Sequence, residues 1–187
     1  QDGLLLAAPT PPSLGIPGNS INKNIGSMKN WGYEFSAEAY IIRNNDFTWS
    51  VDANLTLAGN KVTALYANLD MIYNYNIIRV GQSYNAIYGY EYLGVNGDNG
   101  NPLYRKAEGQ VVQADIPTST YVNYNPANPT NVSVPAVQLG NADKKILGPS
   151  LPTYFGAINS KAAYKGFDLT FMFRFSGGNM VMNRTRM

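Results

Sequence analysis

The sequence predicts an all-β chain that forms part of a large antiparallel transmembrane β-barrel. Three observations lead there. Long runs of strictly alternating apolar and polar residues come in pairs joined by very short turns. Each run is about eleven to thirteen residues long, against a usual strand of about 5–6, and suits a tilted membrane crossing. Aromatic residues gather near the ends of the runs, where girdles at lipid headgroups would stand.

Residues 1 to 20 come first and read as loop. An apolar patch, Leu4-Leu5-Leu6-Ala7-Ala8, is followed by Pro9, Pro11, Pro12 and Pro17 among glycine and serine. Prolines withdraw N–H donors and fix φ, so neither a strand nor a helix is expected to run through the segment. With its lead-in, this region is assigned to residues 1–30.

The first hairpin is assigned to residues 31–58. Tyr33, Phe35, Ala37, Ala39 and Ile41 alternate with Glu34, Ser36, Glu38 and Tyr40, then Arg43-Asn44-Asn45-Asp46 makes a compact polar turn. The alternation resumes with Phe47, Trp49, Val51, Ala53, Leu55 and Leu57 against Thr48, Ser50, Asp52, Asn54 and Thr56. A second hairpin is assigned to 152–178. Its stronger strand carries Phe167, Leu169, Phe171, Phe173 and Phe175 against Asp168, Thr170, Met172, Arg174 and Ser176; the weaker partner, Thr153 to Tyr164, joins it through Lys165-Gly166.

Between the hairpins, Gly59 to Leu151 shows no persistent period of 2 or 3.6 and is rich in Asn, Tyr, Gly and Pro. In a compact soluble domain such a loop would count against the assignment. An outer-membrane barrel expects it, with short turns on the periplasmic side and long loops outside. Residues 59–151 are therefore assigned to an extracellular loop region, and 179–187 to the start of the next loop.

Composition narrows the function. Charged residues make up 14%, well below the roughly 25% of soluble domains. The net charge of +2, with basic residues scattered, gives no footprint for nucleic acid. Histidine and cysteine are both absent, which removes Ser-His-Asp and Cys-His catalysis, disulfides and the usual zinc sites. No enzyme, metal or cofactor is expected. Glu34 and Glu38 share a strand face, yet at about 13–14 Å apart they are too far from each other to act as an acid/base pair. Asn96-Gly97-Asp98-Asn99-Gly100 lacks the further carboxylates of a hard-cation loop and reads as a turn. The chain opens with Gln1-Asp2, without an initiator methionine or a signal-type segment, and is expected to be an internal piece or a processed product.

Glu34, Glu38, Asp52 and Arg174, ionisable groups in mid-strand, are the expected lumen-facing residues. Tyr33, Phe35, Trp49, Leu55, Phe167, Phe171 and Phe173 are expected to face lipid or to stand in the girdles, with Tyr154-Phe155 at the outer ends. In the outer region Tyr73, Tyr75, Tyr88 and Tyr90 combine a flat apolar face with a hydroxyl; they either pack the loop or contact a lid or ligand. The competing architecture is a soluble β-sandwich, a binding module of a secreted glycan-processing protein, with the apolar faces packed on a second sheet.

One stretch carries a family resemblance. Asn24-Ile25-Gly26-Ser27-Met28-Lys29-Asn30-Trp31-Gly32-Tyr33-Glu34, followed by Asp46-Phe47-Thr48-Trp49 and Asn54-Leu55-Thr56, resembles the late barrel of the SusC/RagA family of TonB-linked outer-membrane proteins. Gly81-Gln82-Ser83, Tyr88-Gly89-Tyr90 and Gly94-Val95 resemble a loop of that family; Gly148-Pro149-Ser150-Leu151-Pro152 and Tyr164-Lys165-Gly166-Phe167-Asp168-Leu169 resemble the openings of its next two strands. The resemblance implies a barrel of about twenty-two strands plugged by an N-terminal domain. It also implies a SusD-like surface lipoprotein as partner, import of oligosaccharides or peptides, and energy drawn from TonB through a part not included in these residues. Met187 does not match the aromatic terminus usual for such barrels, so the final strands are expected to lie elsewhere too.

Overall fold

The computed structural model describes residues 2–182 and is all-β, with fourteen strands and four single-turn 3-10 segments among the described residues. Residues 183–187, the last part of the loop start expected at 179–187, lie outside the described residues. The chain falls into two compact units: residues 2–73, 77–86 and 148–182 belong to the first, and 74–76 with 87–147 to the second.

The first unit begins with β1 (Asp2–Pro9), β2 (Ser20–Arg43) and β3 (Phe47–Leu65). β1 corrects the loop expected over residues 1–20. The Leu4–Ala8 patch is a strand, antiparallel to the start of β2 from Asp2↔Ser27 to Pro9↔Ser20. The proline argument holds only from Pro9 onward: that residue ends the strand, where a missing N–H costs least. Pro11, Pro12 and Pro17 sit in the connection, which is closed by the Thr10 N–H donating to the Asn19 carbonyl at 2.8 Å.

β2 and β3 are also longer than expected. β2 starts at Ser20 rather than near residue 31, and β3 continues past 58 to Leu65. They pair from Gly26↔Leu65 to Arg43↔Thr48, with bulges between Ser27 and Met28 and between Tyr40 and Ile42. The second bulge lets Ile42, rather than Ile41, stand opposite Trp49. The alternation is lost to the eye beyond residue 59 because the apolar side changes over there. Lys29 and Lys61 follow Trp31 and Gly59 on one face, while Met28 and Val62 follow Asn30 and Asn60 on the other.

The Asn44-Asn45-Asp46 turn is held by the Asn44 side-chain carbonyl, which accepts from the N–H groups of Asp46 (3.1 Å) and Phe47 (2.7 Å).

Gly59–Leu151 is not an irregular loop. After the end of β3 come nine short strands: β4 (Met71–Tyr73), β5 (Asn76–Ile78), β6 (Ala86–Gly89), β7 (Glu91–Val95), β8 (Pro102–Arg105), β9 (Val111–Asp115), β10 (Thr120–Asn123), β11 (Ala136–Val137) and β12 (Lys145–Gly148). None exceeds five residues, too short for a period-2 pattern to stand out. β11-β10-β9-β8-β7 form an antiparallel meander, and β12-β6-β5-β4 form a small sheet.

The chain returns to the first unit in β13 (Tyr154–Tyr164) and β14 (Phe167–Gly177), giving the sheet order β1-β2-β3-β13-β14. Their connection is the Lys165-Gly166 turn, with φ of 45° and 88°. Two consecutive positive φ values make a tight type I′ hairpin, which glycine at the second position eases.

The first unit's core lies at one end of this sheet. Leu6, Val62, Leu65 and Ile78 are buried together, with Leu4, Ile25, Met71 and Tyr84 packed against them.

Candidate functional site

The functional surface is built by register. Across β2, β3, β13 and β14 the cross-strand partners are Phe35–Leu55–Gly156–Phe175, then Ala37–Ala53–Ile158–Phe173, then Ala39–Val51–Ser160–Phe171. The rows between them are Glu34–Thr56–Phe155–Ser176, Ser36–Asn54–Ala157–Arg174 and Glu38–Asp52–Asn159–Met172. Because side chains alternate faces, the first set lies on one side of the sheet and the second on the other. One face is continuous hydrocarbon, the other mostly polar.

The apolar face has nothing packed on it among the described residues. Phe167 is 81% exposed, Phe171 58% and Phe173 61%, so the sheet-on-sheet packing that a sandwich needs is missing.

Tyr33, Phe35, Trp49, Leu55, Phe167, Phe171 and Phe173 all lie on this face. Tyr154 joins them, but Phe155, expected in the same girdle, stands on the opposite face beside Thr56 and Ser176. Strand alternation sends adjacent residues to opposite sides.

Aromatics edge the apolar face at both ends. At the short-turn end Phe47, Tyr164 and Phe167 share a row, the first two rings meeting edge to face at 6.4 Å. Trp49 lies one apolar row inward and donates its indole N–H to the Ser160 hydroxyl at 3.0 Å. That bond satisfies a polar atom on an otherwise hydrocarbon surface. At the other end Tyr33, Leu57, Tyr154 and Gly177 form a row, with Trp31 and Gly59 beyond it.

Here three aromatics occupy space that a glycine Cβ would take: the Trp31 ring at Gly59, the phenol end of Tyr154 at Gly177 and the tip of Phe175 at Gly156. A Cβ at Gly59 would come within 2.6 Å of the indole ring. The missing side chains are what leave the rings that space, as aromatic cover of sheet glycines requires.

From the Phe47 row to the Leu57 row is ten residues, about 33 Å along the strand and about 25 Å along the normal at a tilt of ~40°. That matches the apolar band of an outer-membrane barrel, about 25 Å tall.

Glu34, Glu38, Asp52 and Arg174 share the hydrophilic face. Asp52 stands directly opposite Glu38, an unfavourable pairing of like charge. Asn159 donates to the Asp52 carboxylate at 2.5 Å, and the Lys161 ammonium lies 3.4 Å from it. Arg174 lines, with Asn54, Asn159, Met172 and Phe155, a cleft of about 510 Å³ on this face. These groups offer hydrogen bonds and charge to a polar solute.

The four tyrosines singled out in the outer region are divided between the two units. Tyr73 ends β4 in the first unit and is exposed. Tyr75 and Tyr88 lie in the second unit, where the Tyr88 N–H donates to the Tyr75 carbonyl. Tyr90 donates its hydroxyl to the Leu139 carbonyl at 3.4 Å and carries the Lys144 ammonium 5.5 Å from its ring centre. Burial, more than its neighbours' charge, pushes the Tyr90 hydroxyl upward.

The aromatic contact that does form, Tyr92–Tyr104–Tyr121 with ring centres 5.8 and 6.1 Å apart, joins β7, β8 and β10. Sequence spacing alone could not have found it.

Nor could it have found the polar centre of the second unit. Gln113 is fully buried. Its carbonyl accepts from Asn96 (3.0 Å) and Asn99 (3.2 Å), and its amide donates to the carbonyls of Pro129 and Asn131. Asn96–Asn101 is the turn between β7 and β8, closed by bonds between those two residues' backbones and by Gly100.

Nearby, Asp143 accepts from the N–H groups of Gly140 (2.9 Å) and Ala107 (3.1 Å), which hold its carboxyl below the usual range. Glu91 is lowered likewise, first by the Lys145 ammonium at 2.6 Å and then by Arg105.

No family model matches the chain. It is 29% identical over 198 aligned residues to TonB-dependent receptor P3 of Formosa agariphila, a match covering 98% of this chain and 18% of that protein. TonB-dependent receptor SusC of Bacteroides thetaiotaomicron is 28% identical over 175 residues, covering 86% of this chain and 15% of SusC. Among solved structures, the RagAB peptide transporter superposes with a TM-score of 0.68 at 25% identity, over 95% of this chain and 18% of that one. The RagAB peptide importer in its closed-closed state gives 0.69 at 23% identity. The chain therefore spans less than a fifth of the length of these relatives.

Proposed function

We propose that this chain, which resembles a SusC/RagA-type β-barrel segment in both sequence and fold, is a late-barrel portion of an outer-membrane, TonB-dependent importer of oligosaccharides or peptides. The observation that carries the reading is the in-register apolar band across β2, β3, β13 and β14, about 25 Å tall and edged by aromatics, with polar groups behind it.

On this reading the hydrophilic face lines the lumen. The Asn44–Asp46 and Lys165-Gly166 turns lie in the periplasm, and the second unit stands outside the cell. A SusD-like lipoprotein covers the extracellular mouth, and TonB supplies energy through another part of the protein. The peptide named for RagAB makes peptides one substrate class to test, and oligosaccharides are the other. Of the four tyrosines named as candidates, Tyr73 is exposed, and Tyr66 and Tyr92 in the same region are exposed as well; these three are open to a lid or a ligand.

The soluble-sandwich alternative requires the Phe167–Phe175 face to be covered, and its exposure weighs against that. Membrane fractionation of the source organism, followed by peptide mass spectrometry, tests the reading. Peptides of this chain should run in a detergent-extracted outer-membrane polypeptide several times longer than 187 residues that co-purifies with a lipoprotein. Recovery in a soluble species near 20.5 kDa would overturn it.

A further inference from the structure

We infer that Lys29 and Lys61 bind a phosphorylated lipid headgroup in the outer leaflet; the inference rests on the barrel reading above. The two lysines are direct cross-strand partners and both are exposed. Their Cβ atoms are therefore about 4.5–5.5 Å apart, and like charges so placed weaken a ladder unless an anion joins them.

No described side chain supplies that anion. The ion pairs among the described residues involve Asp70, Glu91 and Asp52, none of them with these lysines. Glu34, Glu38 and Asp52, the carboxylates within β2 and β3, all stand on the opposite face.

Position supplies the second argument. The Lys29–Lys61 row follows immediately on Trp31–Gly59 along the lipid-facing side, two residues further out. The row lies four residues beyond the Leu57 row that ends the apolar band, about 10 Å along the normal. With that band centred in a bilayer of about 40–45 Å overall, the ammonium groups stand clear of the hydrocarbon, at the outer margin of the headgroup layer.

The surroundings leave room for a ligand. Lys61 lies against Gly81, whose N–H donates to the Val62 carbonyl, and a Cβ there would sit 4.0 Å from the lysine Cε. That is ordinary van der Waals distance, so the lysine stem rests against the glycine without being pinned there. Below, the Trp31 indole at Gly59 gives an apolar floor for the first acyl carbons. Two cations above an aromatic plane, continuous with the lipid-facing band, suit a phosphate attached to an acyl chain.

The test uses the complete receptor in nanodiscs doped with phosphorylated or dephosphorylated lipid A, with retained lipid counted by native mass spectrometry. Wild type should retain the phosphorylated form selectively. K29A/K61A should bind it about thirtyfold more weakly, while K29R/K61R should hold it. Inorganic phosphate alone, in millimolar excess, should not displace it.

Equal retention by an inserted K29A/K61A receptor would overturn the inference and leave the barrel standing. Displacement by inorganic phosphate would make the pair a free-anion site and overturn the lipid assignment. Failure of the wild type to enter the bilayer would overturn the barrel reading itself.

Discussion

Single residues in this chain settle local conflicts that the hydrophobic pattern leaves open. Ser160 sits on the apolar face, where an unbonded hydroxyl would be costly, and Trp49 reaches along the sheet to bond it. Nothing in the sequence distinguishes Ser160 from a break in the pattern, because its partner is more than a hundred positions away. The same holds for Gln113, whose bonding partners lie on two other segments, the Asn96–Asn101 turn and the stretch around Pro129 and Asn131.

Asp143 gives a pH-dependent case. Its carboxylate is stabilised in the folded state by the Gly140 and Ala107 N–H groups, which lower its pKa. That support is complete above the unfolded value of about 3.9 and is lost as pH falls through the lowered folded value. Amide-exchange protection at Ala107 and Gly140 should therefore fall on acidification below about pH 4. In Asp143→Asn it should be lower at neutral pH and largely flat across that range. Identical pH profiles in the two proteins would refute the role given to this carboxylate.

At the scale of elements, the lower parts of β2 and β3, and β14, were legible because one environment holds along each of them: apolar on one side, aqueous on the other. The upper halves of β2 and β3 were not, since the same strands pass from a region where the outward side is apolar to one where the inward side is, with Val62 and Leu65 in the core. β1 was masked by the prolines that follow it.

Neighbours on β14 test which side meets lipid. Phe173 lies on the apolar face near mid-band, and Met172 on the polar face opposite Asn159. Phe173→Lys should destabilise the complete barrel by about 2–4 kcal/mol, whereas Met172→Lys should stay within about 0.5 kcal/mol. Guanidinium unfolding in lipid vesicles measures both, and equal penalties would mean that the two faces see the same medium.

On the scale of the whole molecule, resemblance and pattern agreed on the hairpins, while the stretch between them was readable only as not being one strand or helix. Its organisation depends on strands of two to five residues and on a buried amide network, neither of which leaves a periodic trace.

The second unit gives a test at this scale. Replacing residues 87–147 of the second unit with a short Gly-Ser linker should leave the complete barrel folded in the outer membrane, read by its heat-modifiable mobility on gels, and should reduce solute uptake at least tenfold. Loss of the folded band would show that the outer unit is required for assembly.

A related consequence follows from the pairing of β3 with β13, sealed where the Ala58 N–H donates to the Thr153 carbonyl at 2.8 Å. To the barrel, these are successive staves, and the excursion between them leaves and returns at the same seam. Its length is therefore invisible to the wall. On the importer reading proposed above, such a seam can exchange one external ornament for another over evolutionary time, acquiring a new taste in cargo without relocating a single stave.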